Sequence, residues 1–185
     1  ILLPHTVRSH PDMIAGMDER CHLFVRERPS HDFVSRHATR AHVYLAHDMA
    51  FMLDEAYVAG LRWDWNDLAS KGLLRSWLTM LTKFTMIAML RDSTLHSMRT
   101  DSESIGQPND PLNFDMSRMF TMSDMQFPAC ANAAKALQKT LRAFRRVETD
   151  RLHIAIYSAL LGLDVEMRDN SYGKNRDIYA HSIME

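Results

Sequence analysis

The chain is poor in cysteine, and neither its cysteines nor its histidines are spaced as metal ligands. Its 185 residues include only two cysteines, Cys21 and Cys130, which are far apart and show no Cys-x-x-Cys spacing. A disulfide scaffold and a structural zinc site are therefore not expected, and a reducing, cytoplasmic setting fits best. The ten histidines show no metal-ligand spacing either, so we expect no metal ion.

An excess of charge and long apolar runs are also lacking. Lys and Arg total 22 against 23 Asp and Glu, and the basic residues form no run. Nothing in this balance indicates nucleic-acid binding. No uninterrupted run of about 18 apolar residues exists, which argues against a transmembrane helix. The longest apolar stretches are broken by Lys83, Arg91 and Ser158.

Short apolar runs alternate with helical patterns at the start of the chain. The pattern predicts strands at 1–3, 22–26 and 42–46, with helices at 12–20 and 30–37, the second of them capped by Ser30. Such alternation is typical of an α/β fold in which parallel sheets are covered by helices. Residues 1–60 are accordingly predicted to form the remainder of a first Rossmann-like lobe. Because the chain opens in mid-strand without Met, we expect upstream elements of that lobe to be absent.

The rest of the chain predicts a linker and a second lobe. Residues 61–82 change character and form a crossover with a helix at 73–81. Residues 83–185 form the second Rossmann-like lobe, with strands at 83–90, 145–147 and 164–167, an exposed loop at 101–113, and a helix at 131–145. One apolar face of that helix combines Ala134, Leu137, Leu141 and Phe144.

Polar residues lie where the predicted strand at 145–147 turns into a buried helix. Asp150, Arg151 and His153 surround the start of an apolar run that ends at Gly162, which can stop the helix in a left-handed turn. The first N–H groups of a helix lack backbone partners, so this start favours an anion such as phosphate or carboxylate. A structural role is an equal alternative, with Thr149 or Asp150 as N-cap, Arg151 as an ion-pair partner and His153 as a core residue.

Five blocks, in this order, resemble the polysaccharide pyruvyl transferase family. They are Leu3-Pro4-His5-Thr6, Val25-Arg26-Glu27-Arg28-Pro29-Ser30, Leu45-Ala46-His47-Asp48-Met49-Ala50-Phe51, Thr149-Asp150-Arg151-Leu152-His153 and Asp169-Asn170-Ser171-Tyr172-Gly173-Lys174. The likeness covers residues 1–53 and 145–183, with a thinner match at 98–103. The chain departs from the family at His5, where glutamine is usual, and at His47, where proline is usual.

The resemblance implies two lobes similar to those of GT-B glycosyltransferases and a specific reaction. In that reaction phosphoenolpyruvate, the donor substrate, gives its three-carbon unit as a ketal to two hydroxyls of a sugar, in a polysaccharide or its lipid-linked precursor. No other cofactor is implied, and a lipid-linked acceptor would bring the protein to a membrane surface peripherally. Two alternatives stay open: a non-catalytic lobe of this fold that binds a glycan or an anion, and a glycosyltransferase that uses a nucleotide sugar.

Residue by residue, the resemblance implies that Arg151 and His153 bind the donor and that Arg26 belongs to the first-lobe motif. Arginine can hold a phosphate or a carboxylate in a bidentate fork. His153 is the expected general acid or base, because imidazole titrates near neutrality. Asp150 either orients Arg151, accepts a proton from the sugar, or caps the helix.

Further candidates follow the ends of predicted strands, where α/β proteins place their ligands. Asn170, Ser171 and Lys174 come after the last strand and either face the ligand or form a turn with a solvated lysine. Asp48 comes after the third strand and either contacts the acceptor sugar or caps the next segment.

Overall fold

The computed structural model describes residues 1–63, 94–101, 104, 112–116, 127–170 and 173–182, and it confirms the predicted α/β fold with parallel sheets. Contacts divide the chain into two units, one comprising Ile1–Leu53 with Asp169–Glu185 and the other Asp54–Arg168. Four predictions fall wholly or mostly outside the described residues: the helix at 73–81, the strand at 83–90, most of the loop at 101–113, and Ser171. Within the described ranges, no helix is long and apolar enough to cross a bilayer.

The first unit contains a sheet of three parallel strands in chain order. These are β1 (Leu2–His5), β2 (His22–Val25) and β3 (His42–Leu45). Helices α1 (Pro11–Ala15) and α2 (Arg28–His37) follow β1 and β2. The predicted strands are confirmed to within one or two residues at their ends.

A small apolar core holds this sheet to its helices. Ile14 of α1 and Val34 of α2 pack with Leu23 and Val25 of β2, and all four are buried. Alternate residues of a strand point to opposite faces, so the spacing of Leu23 and Val25 places both on one side of the sheet. The register His22↔His42 to Val25↔Leu45 brings the carboxyl ends of β2 and β3 to the same edge.

Two helix boundaries in this unit differ from prediction. Helix α1 ends at Ala15 instead of Arg20, because Asp18 accepts the backbone N–H and the side chain of Arg20 and so favours a turn. Helix α2 begins two residues before the predicted cap, at Arg28, with Pro29 in its first turn, where a missing N–H costs nothing. Ser30 is therefore not the cap, and its hydroxyl donates to the carboxylate of Glu27.

The second unit contains another parallel sheet of three strands in chain order. These are β4 (Thr94–Ser97), β5 (Arg146–Thr149) and β6 (Asp164–Met167). Its helices are α3 (Glu55–Gly60), α4 (Phe127–Leu141) and α5 (Leu152–Leu160). The core combines buried residues of strands, helices and connections: Leu95, Phe114, Met116, Leu141, Phe144, Val147, Ile154 and Tyr157.

Helix α4 begins and ends four residues earlier than predicted. Pro128 lies in its first turn, as the fixed φ of proline favours, and Leu141 and Phe144 are buried in the core as expected. Helix α5 has buried residues on most of its circumference, which confirms the prediction that it is covered on most sides.

The two units do not coincide with the predicted lobes at their boundaries. Helix α3 belongs to the second unit, because Glu55 contacts Gln138 of α4 at 2.8 Å and Arg142, which follows α4, at 2.9 Å. The C-terminal helix α6 (Lys174–Ser182) groups with the first unit, where its Asp177 pairs with Arg8 at 2.8 Å. The sequence had assigned α3 to the first lobe and α6 to the second.

The turn after α5 generates a stability prediction. Gly162 has a φ of 75°, and a Cβ added there would meet nothing within 4 Å. Gly162→Ala should therefore lower the free energy of unfolding by about 1–2 kcal/mol through backbone strain alone. Gly60→Ala, at a helical position with the same open space, should be neutral or stabilising by up to about 1 kcal/mol. Urea denaturation of both variants measures this; equal effects would contradict the left-handed turn.

Candidate functional site

A hydroxyl crosslink fixes the carboxyl edge of the second sheet. Thr149 closes β5, and its Oγ1 donates to the carbonyl of Ser97, the last residue of β4, at 2.6 Å. The same oxygen accepts the backbone N–H of Arg151 at 3.0 Å. The crosslink sets the path of the chain from β5 into α5, at the edge where α/β proteins place their ligand-binding groups.

The expectation that Thr149 or Asp150 caps helix α5 is wrong. The helix begins at Leu152 with Arg151 in the N-cap position, and among the described residues no side chain caps it. The hydroxyl of Thr149 is engaged in the crosslink, and Asp150 Oδ1 accepts the backbone N–H of Arg99 at 2.7 Å. Without a side-chain cap, the start of α5 retains the N–H donors that can bind an anion.

The guanidinium of Arg151 is held by two carboxylates. Its Nε lies 3.1 Å from Oδ1 of Asp115, and its Nη2 lies 2.9 Å from Oδ1 and 2.7 Å from Oδ2 of the same residue. Nη2 also lies 3.1 Å from Oδ2 of Asp101. The other terminal nitrogen, Nη1, has no partner among the residues that the structure describes. Within the described residues, the protein thus fixes the edge of the guanidinium formed by Nε and Nη2 and makes no contact with Nη1.

Asp115 is the residue of the candidate site that sequence reasoning missed. It lies between the core residues Phe114 and Met116, and its Oδ2 accepts the N–H and the hydroxyl of Thr100 at 3.0 and 2.9 Å. Burial would raise the pKa of Asp115, but hydrogen bonds from Arg151 and Thr100 outweigh burial and lower the pKa. A lone acid between two large apolar residues was the local signal available.

Asp150 lies in the same region with the opposite electrostatic balance. It is buried, and burial raises the pKa of its carboxyl. The hydrogen bond from the backbone of Arg99 and the positive charges of Arg151 and Arg99 only partly offset this effect. Asp150 therefore takes up a proton more readily than an exposed aspartate does.

His153 lies in the first turn of α5 with an exposed side chain. The groups that hold Arg151 are Asp101 and Asp115, and His153 is not one of its partners. The structure therefore places His153 two residues after Arg151 in sequence, without a contact to the guanidinium of Arg151. His153 is also not the buried core histidine of the alternative interpretation.

In the first unit, the structure pairs two predicted residues directly. Arg26 Nη1 donates to Oδ2 of Asp48 at 2.5 Å, and Arg26 Nε donates to Oγ1 of Thr6 at 3.1 Å. Both members of the ion pair are buried. Asp48 also caps the short 3₁₀ helix Met49–Met52 by accepting the N–H of Ala50 at 2.9 Å. The capping alternative for Asp48 is thus observed.

A fully buried carboxylate lies beside this pair. Glu27 is bonded to the hydroxyl of Ser30 and to Thr6 Oγ1 at 3.3 Å, and Arg8 Nη2 lies 3.4 Å from its Oε1. Arg8 in turn reaches Asp177 of α6. Buried charges need such partners, and the network ties the segment after β1, the start of α2 and helix α6 into one unit.

The turn before α6 has a structural arrangement. Asn170 is buried, and its Oδ1 accepts the backbone N–H of Lys174 at 2.9 Å. Asp169 Oδ1 accepts the N–H of Asn170 at 2.9 Å and of Arg176 at 3.3 Å. The side chains of Asn170 and Asp169 therefore accept N–H groups at the start of α6. This corresponds to the alternative in which Asn170 forms a turn. The remaining candidate here, Ser171, is outside the described residues.

Metal binding finds no support in the described part of the chain. There, no group of three or more His, Cys, Asp or Glu side chains is arranged to hold a metal ion.

The opposite electrostatics of two neighbouring carboxyls generate a pH prediction. The raised pKa of Asp150 means that its neutral form stabilises the fold below the unfolded pKa, and that this stability is lost as pH rises through the folded pKa. Asp150→Asn should therefore be more stable than wild type at pH 7, with the difference vanishing near pH 3. Asp115→Asn is the matched control with opposite sign, because a lowered pKa gives stability that is fully present above the unfolded pKa and is lost as pH falls through the folded pKa. Urea denaturation across this pH range measures both effects; a destabilised Asp150→Asn at pH 7 would show that the ionised carboxylate is the form that the fold stabilises.

The buried pair in the first unit generates a second prediction. Arg26→Ala leaves Asp48 buried without its counter-charge and should lower the free energy of unfolding by about 3–5 kcal/mol. Arg142→Ala, which removes an exposed partner of Glu55, should cost about 0–1 kcal/mol. Chemical denaturation of both variants checks the contrast, and a small loss for Arg26→Ala would show that Asp48 is solvated.

Comparisons with known proteins bear on the fold alone. No protein-family model and no curated protein matches the chain. Among solved structures, it is similar to the crystal structure of a functional uncharacterized protein from Klebsiella pneumoniae subsp. pneumoniae NTUH-K2044, with a TM-score of 0.70 and 24% identity over 98% of this chain. The chain spans 58% of the length of that neighbour. At this identity the likeness supports the α/β architecture of parallel sheets.

Proposed function

We propose that this chain is part of a transferase that moves a pyruvyl group from phosphoenolpyruvate to a pair of sugar hydroxyls as a ketal. The observation that carries the proposal is the placement of Arg151. Its guanidinium lies at the carboxyl edge of the sheet, beside a helix start without a side-chain cap, and keeps Nη1 without a partner in the described residues. The five sequence blocks supply the choice of reaction.

Binding of the donor follows from the charges that phosphoenolpyruvate carries. It offers a phosphate and a carboxylate, and both are acceptors that a guanidinium and the N–H groups of a helix start recognise. Arg151 can meet one acidic group through its unused edge while Asp115 holds the other edge. The start of α5 can then receive the second acidic group.

The reaction requires proton transfer at both partners. The methylene carbon of phosphoenolpyruvate gains a proton, one sugar hydroxyl bonds to the adjacent carbon and loses its proton, and the C–O bond to phosphate breaks. The second hydroxyl then bonds to the same carbon and loses its proton. Of the two protons released, one balances the new methyl group and the other leaves with phosphate. The proposal assigns a proton-transfer role to the exposed imidazole of His153, with Asp150 as the second candidate.

A second candidate function is a lobe that binds an anion or a glycan without catalysis. The observation that favours it is the charge around Arg151, where the positive charges of Arg99 and Arg151 lie near the carboxyls of Asp101, Asp115 and Asp150. Such a balance holds the arginines firmly and weakens the attraction for the dianionic donor that catalysis requires, which leaves a neutral glycan or a singly charged anion as the ligand. A nucleotide-sugar transferase rests on fold analogy alone.

The proposal predicts that phosphoenolpyruvate stabilises the folded chain. A ligand that binds only the folded state adds about 2.7 kcal/mol at a hundred times its Kd, so thermal melting should shift upward. Arg151→Ala should abolish the shift. Arg146→Ala is the matched control, since Arg146 begins β5, the strand that precedes Arg151, and pairs with Asp164 and Glu166 on the exposed surface. Its melting temperature should rise with phosphoenolpyruvate as that of wild type does.

The remaining outcomes separate the three functions. Release of phosphate from phosphoenolpyruvate in the presence of sugar acceptors supports the transferase. A rise in melting temperature with no phosphate released, whichever acceptor is added, supports the binding lobe. A larger shift with a nucleoside diphosphate than with phosphoenolpyruvate supports the nucleotide-sugar enzyme. No shift at millimolar phosphoenolpyruvate would remove the proposal.

A further inference from the structure

We infer that Asp115 is the positioning residue that fixes Arg151 for an anionic ligand, an inference that rests on the function proposed above. Nothing in the sequence motifs includes Asp115, which lies 36 residues before Arg151. The inference comes from the geometry of the pair and from what each oxygen of Asp115 contacts.

Without a fixed partner, the long side chain of Arg151 would be free to adopt many rotamers. Arginine carries about 2 kcal/mol of rotamer entropy, which a ligand must remove on binding unless the protein has already done so. Asp115 contacts both Nε and Nη2 at 2.7–3.1 Å, and such a two-point fork defines the plane of the guanidinium as well as its position. A single contact would leave the guanidinium free to rotate about the axis of that one hydrogen bond.

Asp115 is itself held in place by hydrogen bonds and by its buried neighbours. Its Oδ2 accepts both the N–H and the hydroxyl of Thr100, and its neighbours Phe114 and Met116 are buried in the core of the second unit. The side chain of Asp115 is 5% exposed. An anchor built into the core transmits its own rigidity to the guanidinium.

The fork engages the edge of the guanidinium that is formed by Nε and Nη2. Contacts to Nε and Nη2 leave Nη1 without a partner among the described residues, so the fork orients the donors that remain. Asp101 contributes differently, because its carboxylate is 36% exposed and is shared with Arg99, which it contacts at 2.8 and 3.0 Å. Asp115 is therefore the anchor for Arg151, and Asp101 bridges the two arginines.

If Asp115 only neutralised the charge of Arg151, its removal would change the Kd for an anion in the opposite direction. The direction of the change therefore distinguishes the two roles. Removing a negative charge beside Arg151 strengthens its attraction for an anion if the charge is all that matters. If orientation matters, the same removal weakens binding, because the guanidinium loses the second oxygen of the fork. Asp115→Asn keeps the size of the side chain and one acceptor, and removes the charge and the fork.

The experiment is calorimetric titration of the 185-residue chain with phosphoenolpyruvate and, separately, with inorganic phosphate, at a temperature where each variant is folded. We expect Asp115→Asn to raise the Kd for phosphoenolpyruvate about tenfold to a hundredfold, as for the loss of a charged hydrogen bond. The matched control is Asp164→Asn. It removes a carboxylate that pairs with Arg146 at 3.3 Å at the opposite edge of the same sheet, and it should stay within about twofold of wild type.

Thr100→Val keeps the inference testable if Asp115→Asn does not fold. It removes one bond to Asp115 and leaves every charge in place. We expect a smaller loss of affinity in the same direction.

Each outcome decides one question. Weaker binding by Asp115→Asn or Thr100→Val supports the positioning role, and unchanged or tighter binding overturns it. If wild type binds phosphoenolpyruvate and Arg151→Ala does not, while the Asp115 and Thr100 variants bind as wild type does, the inference fails and the proposed function stands. If wild type binds neither probe, the proposed function and the inference both fall.

Discussion

The fork between Asp115 and Arg151 determines what the carboxyl edge of the second sheet can do. A carboxylate between two core residues is costly unless its oxygens are bonded, and a long guanidinium side chain is disordered unless it is held. The pair solves both problems together, because Asp115 takes its bonds from Thr100 and Arg151. The chemistry proposed for this region depends on that mutual restraint.

The two units use the same motif with different results. In each, an arginine that follows a strand pairs with a carboxylate distant in sequence: Arg26 with Asp48, and Arg151 with Asp115. In the first unit the carboxylate also caps a short helix, and the pair is closed into the fold. In the second, the adjoining helix start carries no side-chain cap in the described residues. The first pair is therefore best understood as structural, and the second retains donors for a ligand.

Local patterns in the sequence predicted five of the six described strands, because the alternation of buried and exposed positions along a strand involves neighbouring residues. The sixth strand, β4 (Thr94–Ser97), was not predicted. The start of α5 was predicted with the wrong cap, since a tertiary bond from Thr149 to Ser97 competes with the capping bond that its residue type prefers. Asp115 was missed because its partner lies 36 residues away, and no local pattern encodes that contact. The domain boundaries shifted for the same reason, since α6 is held by Arg8, 169 residues earlier.

The pairing of Arg8 with Asp177 also bears on the order in which the chain can fold. The unit Asp54–Arg168 is continuous and can assemble as soon as its own residues have left the ribosome. The other unit lacks α6 until the residues after Arg168 have been synthesised, so until then Arg8 contacts the buried carboxylate of Glu27 without its distant partner Asp177. Contacts of such long sequence separation form slowly, because loop closure precedes any gain from them. Truncation before α6 would accordingly disturb the unit that contains Ile1–Leu53 more than the unit Asp54–Arg168.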